Sequence, residues 1–340
     1  FETKNTTKNI GLYDLTPFSK FELKGENVHE ELQKLCTANI KNEIGKCTYT
    51  QMLNTDGGIE ADLTVVCLEK NYFRIISSAA TRERDKFHIN KYLSNGLKLI
   101  DVTDDYCVLG VFGPNSRLLM QDLSKDNFSN HSFKFASSKY ISIDNIKIWT
   151  QRLSYVGELG YELYIKVKDA RKIYNLIIEK GAKYKISNCG MHALDIMRME
   201  SGFLHWGHDI SPEENQYQAG LNFAVSYKKN IDFIGKNALL KIKDQKPLKK
   251  FVMLVLKNSK PGEPLLLHDE PIYLEDNIIG RTTSCNYSFN FNKNLAFGYI
   301  NSKLSNTDLA KEDIFIEVEK KKYQASIILE PLKSKNIRNI

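Results

Sequence analysis

Three short segments place acids, phenols and an arginine where the surrounding pattern is apolar. The first is Asp62-Leu63-Thr64-Val65-Val66, a strand-like run behind a tight Gly57-Gly58 turn. Side chains alternate along a strand, so Asp62 and Thr64 share one face while Leu63 and Val65 share the other. A carboxylate on such a face can stabilise a developing cation and accept a proton; the alternative is a solvated strand-end acid. The second is Tyr155-Val156-Gly157-Glu158-Leu159-Gly160-Tyr161-Glu162-Leu163-Tyr164, where a glycine turn folds the chain back so that Tyr155 and Glu162 approach one ligand. Glu162 and Tyr164 share a face, and a carboxylate offers two parallel acceptors to any planar edge carrying two adjacent N–H donors. The alternative pairs Glu162 with a strand neighbour and buries both tyrosines as core. The third is Arg198, between Met197 and Met199 on a helix expected over 190–200. It can grip a carboxylate in bidentate fashion, or form an ion pair with Glu200 or Asp195.

Other arrangements carry less. His205 and His208 are three apart with Asp209 following, but Gly207 between them disfavours a helix and no third ligand is indicated, so no metal is expected. Gly110-Val111-Phe112-Gly113-Pro114 lacks the spacing of a dinucleotide fingerprint, no phosphate-binding loop occurs, and Ser154 is in no nucleophile elbow. The six cysteines are scattered, without a C-x-x-C pair, and read as buried free thiols. Net charge is +7, yet no arginine stripe alternates with aromatics, which argues against nucleic acid. The longest apolar runs fall far short of the roughly 20 residues of a membrane span.

The elements needed to position these residues are legible. With 340 residues the chain exceeds one ordinary core, so two or three units are expected. Val28, Leu32, Leu35 and Cys36 recur at helical spacing. Residues 49–53 and 59–68 flank the turn Asn54-Thr55-Asp56-Gly57-Gly58 as a hairpin. Strands are expected at 72–77, 107–112, 150–155 and 161–167, and a helix at 82–93. Gly113-Pro114 should open another helix with proline in its first turn. A helix over 169–180 should be capped by Asp169 and stopped by Gly181. The lysine-rich stretch 241–250 reads as a linker between a unit at 1–240 and one at 251–340, whose evenly spaced short strands suggest a small β-barrel.

At these motifs the chain resembles the folate-binding C-terminal region of dimethylglycine dehydrogenase, sarcosine dehydrogenase and dimethylglycine oxidase, within the glycine-cleavage T-protein (aminomethyltransferase) superfamily. The resemblance rests on Tyr13-Asp14-Leu15-Thr16-Pro17-Phe18-Ser19-Lys20-Phe21, Gln51-Met52-Leu53, Gly58-Ile59-Glu60-Ala61-Asp62-Leu63-Thr64 and Leu109-Gly110-Val111-Phe112-Gly113-Pro114. It continues through the Ser154 to Tyr164 string, Ala219-Gly220-Leu221, Asp232-Phe233-Ile234-Gly235-Lys236 and Thr282-Thr283-Ser284. These strings occur in order over nearly the whole chain.

The resemblance implies an α+β, three-part fold: an antiparallel sheet with helices, a ferredoxin-like insertion and a C-terminal β-barrel around a folate channel. It implies that Asp62, Leu63 and Thr64 line the reactive end, that Tyr155, Glu162, Leu163 and Tyr164 hold the pterin, and that Arg198 lies near the glutamyl portion. Phe223 falls where the dehydrogenases have a folate-contacting tyrosine, which keeps a stacking surface but removes a hydrogen bond. The implied activity is capture by tetrahydrofolate of the iminium or formaldehyde from oxidation of dimethylglycine or sarcosine, giving 5,10-methylenetetrahydrofolate, with Asp62 as the catalytic group. The implied partners are folate, polyglutamylated or not, and a flavin-binding domain or subunit, since FAD would be held outside these residues. Bacterial cytoplasm and mitochondrial matrix both fit. The alternatives are a stand-alone aminomethyltransferase, another folate-dependent demethylase, or an iron–sulfur assembly accessory protein; the last is disfavoured because 200–207 contains no cysteine.

Overall fold

The computed structural model describes residues 1–301 and 314–333; positions 302–313 and 334–340 of the expected C-terminal unit lie outside the described residues. In chain order the elements begin α1 (Glu2–Lys8), β1 (Ile10–Asp14), β2 (Ser19–Lys24), α2 (Val28–Leu35), β3 (Cys47–Leu53), β4 (Ile59–Glu69) and β5 (Tyr72–Ser77). They continue α3 (Arg82–Tyr92), β6 (Lys98–Asp101), β7 (Tyr106–Phe112), α4 (Ser116–Leu123), β8 (Ser138–Ile143), β9 (Ile146–Gln151), β10 (Gly160–Lys166), α5 (Val167–Gly181) and β11 (Ile186–Cys189). After α6 (Met191–Glu200), α7 (Gln216–Ala219) and α8 (Lys236–Ile242) come β12 (Lys249–Leu256), β13 (Pro271–Leu274), β14 (Asn277–Ser288), β15 (Lys293–Asn301), β16 (Ile314–Val318) and β17 (Lys321–Ile328).

The strands form one sheet in the order β3-β4-β5-β2-β6, a second in the order β11-β1-β7-β10-β9-β8, and a closed barrel β12-β15-β14-β13-β16-β17. Within the second sheet, β7-α4-β9-β10-α5-β11 is the ferredoxin-like βαββαβ succession, with β1 slotted between β7 and β11 and β8 added at the edge. The expected α+β class and closed barrel are therefore present.

Two-residue alternation divides each sheet between an outer and an inner core. Outside the first sheet, Val28, Leu32 and Leu35 of α2 pack on Leu63, Val65 and Cys67 of β4 and on Phe73 and Ile75 of β5. Outside the second, Leu119 and Met120 of α4 and Ile173 and Ile177 of α5 cover Leu163 and Ile165. Each such fully buried aliphatic chain is worth about 1.5–3 kcal/mol of transfer free energy. The inner faces meet each other: Val66 and Leu68 from the first sheet pack with Val108, Phe112, Trp149 and Tyr164 from the second. The polar members of those inner faces include Asp62, Thr64 and Glu162, each partly buried.

Several local expectations are corrected. The strand placed at 150–155 ends at Gln151, because a hairpin turn at Asp144 and Asn145, both with positive φ, pairs β8 with β9 and leaves Tyr155 in a loop. Helix α4 begins at Ser116, so Pro114 precedes its first turn, and α5 begins at Val167 with no side-chain cap, so Asp169 is inside the helix. Within the stretch 241–250, α8 runs to Ile242 and β12 starts at Lys249, which leaves 243–248 between them. The polar opening residues form α1, which packs on β1, β11 and α6.

Candidate active site

The β3–β4 hairpin places Asp62. Its turn is held by the Asn54 side chain, which accepts from the N–H of Asp56 at 3.0 Å and of Gly58 at 2.8 Å. A Cβ on Gly58 would lie 2.0 Å from the Pro212 carbonyl oxygen, so only glycine lets the turn dock. The register sets Gln51 opposite Asp62 and Tyr49 opposite Thr64. The Gln51 amide donates to Asp62 Oδ1 at 2.8 Å. Burial pushes the Asp62 carboxyl up to about 6; the Gln51 amide and the Tyr49 hydroxyl oppose that rise, and the charge of Asp85 adds to it. Thr64 is half-buried on the same face. Leu63 is not: its side chain, 3% exposed, is in the core under α2, so only its backbone can border the site.

Strand β10 places the second acid. Glu162 pairs with Gln151 of β9 and Gly110 of β7, and accepts from the Tyr164 hydroxyl at 3.2 Å. Burial pushes Glu162 up to about 7, with the Tyr164 hydrogen bond opposing. Leu163, fully buried beneath α4 and α5, faces the other way, again leaving only backbone. Tyr155 donates to the Leu204 carbonyl at 2.5 Å and stacks on Phe203 with ring centroids 5.9 Å apart. Its phenol is raised well above the ordinary range, first by burial and further by Asp62, Asp209 and Asp195, while Arg198 opposes.

Strand β3 lies within electrostatic reach of Asp62, Tyr155 and Glu162. Tyr49 is 39% exposed, yet its phenol is raised strongly by burial, by Asp62 and by Tyr155. Surface that is open to solvent while surrounded by protein is the wall of a recess. Cys47, Tyr49 and Gln51 occupy one face of β3, and the field of Glu162 acts on Cys47. That face therefore links the Glu162–Tyr164 end to the Asp62 end over four residues, about 13 Å of strand. Two amide atoms along it, Gln51 Oε1 and Gln151 Nε2, are buried without a hydrogen-bond partner among the described residues.

Arg198 has a different place. It is 1% exposed and its guanidinium donates to Asp195 at 2.8 Å, Asp209 at 2.5 Å, the Phe203 carbonyl at 3.0 Å and Ser284 Oγ at 2.7 Å. This matches the ion-pair alternative, with Asp195 and Asp209 as partners rather than Glu200, whose carboxylate accepts from Ser288 and Asn290. Each guanidinium nitrogen is thus engaged within the protein, and the group fixes the loop 203–209. Asp209 also accepts from Thr283 at 2.6 Å, so a bulge of β14 ties the barrel to that loop. The loop's carbonyl at Leu204 in turn holds Tyr155. The imidazoles of His205 and His208 are 4.6 Å apart by centroid, while Asp209 is spent on Arg198 and Thr283. Among the described residues no group of three or more His, Cys, Asp or Glu could hold a metal, and no helix is long and apolar enough to cross a membrane.

Phe223 is 73% exposed at the rim, stacked on Tyr49 with centroids 6.2 Å apart and 22° between planes. Tyr49 and Gln151 did not stand out in the sequence, and Gln51 did so only within the string Gln51-Met52-Leu53, which gave it no role. The signal that finds Tyr49 and Gln51 is the hairpin itself, since antiparallel pairing across the Asn54 to Gly58 turn brings them beside Asp62. An open groove of about 350 Å³, bordered by Asp14, Cys107, Arg171 and Tyr174, lies apart from all of these residues.

Residues 1–229 match the GCVT N-terminal domain, and residues 249–333 match the Glycine cleavage T-protein C-terminal barrel domain. The chain is 33% identical over 334 residues to dimethylglycine dehydrogenase of Rattus norvegicus, a mitochondrial protein; the match spans 97% of this chain and 38% of that relative. It is 30% identical over 300 residues to an aminomethyltransferase of Halothermothrix orenii, covering 88% of this chain and 82% of the relative. The crystal structure of glycine cleavage system aminomethyltransferase T from Bartonella henselae superposes with a TM-score of 0.85 at 22% identity, over 97% of this chain and 88% of that one. The chain spans well under half the length of the dehydrogenase it matches, and most of the aminomethyltransferase. With both of its domains matched in order and the shared fold behind them, the chain belongs to the glycine cleavage T-protein family, to which its dehydrogenase and aminomethyltransferase relatives are homologous.

Proposed function

We propose that this chain binds tetrahydrofolate between its two sheets and directs transfer of one carbon to it, yielding 5,10-methylenetetrahydrofolate. The observation that carries the reading is the polar face of β3, with Asp62 raised to about 6 at one end and Glu162 raised to about 7 at the other. The orphaned Gln51 Oε1 and Gln151 Nε2 fit a ligand that offers both N–H donors and carbonyl acceptors. Tetrahydrofolate supplies two neighbouring amine nitrogens that take up carbon at the formaldehyde level. Glu162 holds the N–H edge of the pterin through its two oxygens, with Tyr164 beside it and the Tyr155 ring on the wall. Asp62, its carboxyl raised by burial to about 6, stabilises positive charge at the reacting nitrogen and is basic enough to accept the proton released there.

The carbon donor we propose is an N-methyl amine such as dimethylglycine or sarcosine, oxidised by a flavin-binding domain or subunit. The coverage of the Halothermothrix aminomethyltransferase favours a second reading, in which an aminomethyl group arrives on a lipoyl carrier. Offering each donor to the full chain, with the flavin enzyme or the carrier supplied, separates the two. The common step is tested with tetrahydrofolate and formaldehyde, read above the spontaneous rate. Asp62→Asn should keep the dissociation constant within about threefold and slow transfer by about 100-fold or more; unaltered transfer would remove Asp62. Glu162→Ala should weaken binding at least tenfold, and an unchanged constant would contradict its pterin role.

A further inference from the structure

We propose that Tyr49 and Gln51 are positioning residues that fix the Asp62 carboxylate at the reacting end of the recess, and that Phe223 holds the Tyr49 ring in place for this. The inference rests on the reading of Asp62 as the group that stabilises charge and accepts the proton. Gln51 has no freedom to do otherwise. Its side chain is fully buried, its amide donates to Asp62 at 2.8 Å, and its backbone carbonyl accepts from the Thr37 N–H at 2.9 Å. Thr37 fastens the other half of the device too: its hydroxyl donates to the Ala224 carbonyl at 3.1 Å and its carbonyl accepts from the Ser226 N–H at 2.9 Å. One threonine thus locks the strand bearing Tyr49 and Gln51 to the turn bearing Phe223, whose ring lies on Tyr49.

The Gln51 donor at 2.8 Å, with the Tyr49 phenol beside it on the same face, favours a single orientation of the carboxylate plane and opposes its neutralisation by burial. The other charged or titratable groups around Asp62 do not replace them. Asp85 from α3 repels it, Glu60 on its own strand is paired with Arg84, and Tyr155 has its hydroxyl on the Leu204 carbonyl with Arg198 behind it. Phe223 explains itself in the same terms: an exposed phenylalanine without a hydroxyl serves as a cover for the neighbouring phenol.

The test is a carboxyl ¹³C titration of the full chain labelled at aspartate, with the Asp62 signal assigned by Asp62→Asn. Tyr49→Phe keeps the ring and its stacking, and Gln51→Met keeps the volume; each should raise the Asp62 midpoint by about one unit, since a hydrogen bond to a charged group is worth about that much. Each should also lower the transfer rate constant about tenfold, and Tyr49→Phe, which leaves the Gln51 amide in place, should keep tetrahydrofolate affinity within threefold. If Gln51→Met fails to fold by circular dichroism, the Tyr49→Phe titration decides alone. Midpoints that stay within 0.3 unit of the parent overturn the proposal. Transfer indifferent to Asp62→Asn would instead end the functional reading, leaving the titration result intact, so the two failures are distinguishable.

Discussion

Replacing Glu162 by glutamine should weaken the ligand site and strengthen the fold in one step, and the size of the second effect follows from the acid's displaced titration. The rise from its ordinary 4.5 to about 7, at about 1.4 kcal/mol per unit, bounds the cost of keeping this carboxylate charged in the folded chain at about 3 kcal/mol. Glu162 is partly open to the recess, so solvent screening reduces the expected figure to about 1–2 kcal/mol. Between pH 4.5 and 7 the folded state binds more protons than the unfolded one at this residue, so its contribution to stability falls as pH rises through that window. Glutamine cannot ionise, so the variant's advantage should be absent below about pH 4.5, grow toward pH 7 and level off above it. Thermal denaturation of both proteins at pH 5, 6, 7 and 8, without ligand, measures this as a melting-temperature difference that widens by roughly a few degrees. A difference independent of pH, or one that shrinks with rising pH, would refute the assignment of a burial-raised carboxyl to Glu162. In the same samples tetrahydrofolate affinity should fall, because an amide retains only one acceptor oxygen.

Arg198→Met should cost about 3–5 kcal/mol in denaturant unfolding, because the Asp209 carboxylate, fully buried, loses its cation and keeps only the Thr283 hydroxyl and the His205 N–H; a loss under 1 kcal/mol would mean the network is not structural. Cys36 and Cys47 are buried with thiols pushed up to about 12, so neither should be alkylated by iodoacetamide at pH 8 until urea unfolds the chain. Rapid labelling of either in the native protein would contradict the packing.

Local chemistry made much of this chain legible. The hairpin around Asn54 to Gly58 was readable because its turn residues demand it, and the helical spacing of Val28, Leu32 and Leu35 because each is buried on α2. The β8–β9 hairpin was missed, although Asp144 and Asn145 carry the positive φ that such a turn needs. Alternation itself already separated Asp62 and Glu162 from Leu63 and Leu163, which is why the two leucines are core beneath helices rather than ligand-facing side chains.

What the sequence determined by itself is which residues share a face, because strand periodicity is a property of neighbouring residues. What only the tertiary structure decided is what those faces meet. Arg198 has carboxylates near it in sequence, Asp195 and Glu200, but the partners that commit it include Asp209 and, from the barrel, Ser284. Glu162 and Asp62 are 100 residues apart in the numbering, and only the packing of one sheet's inner face on the other puts them along one strand, β3. Such contacts depend on loop closure and mutual burial over long separations, which no local pattern encodes.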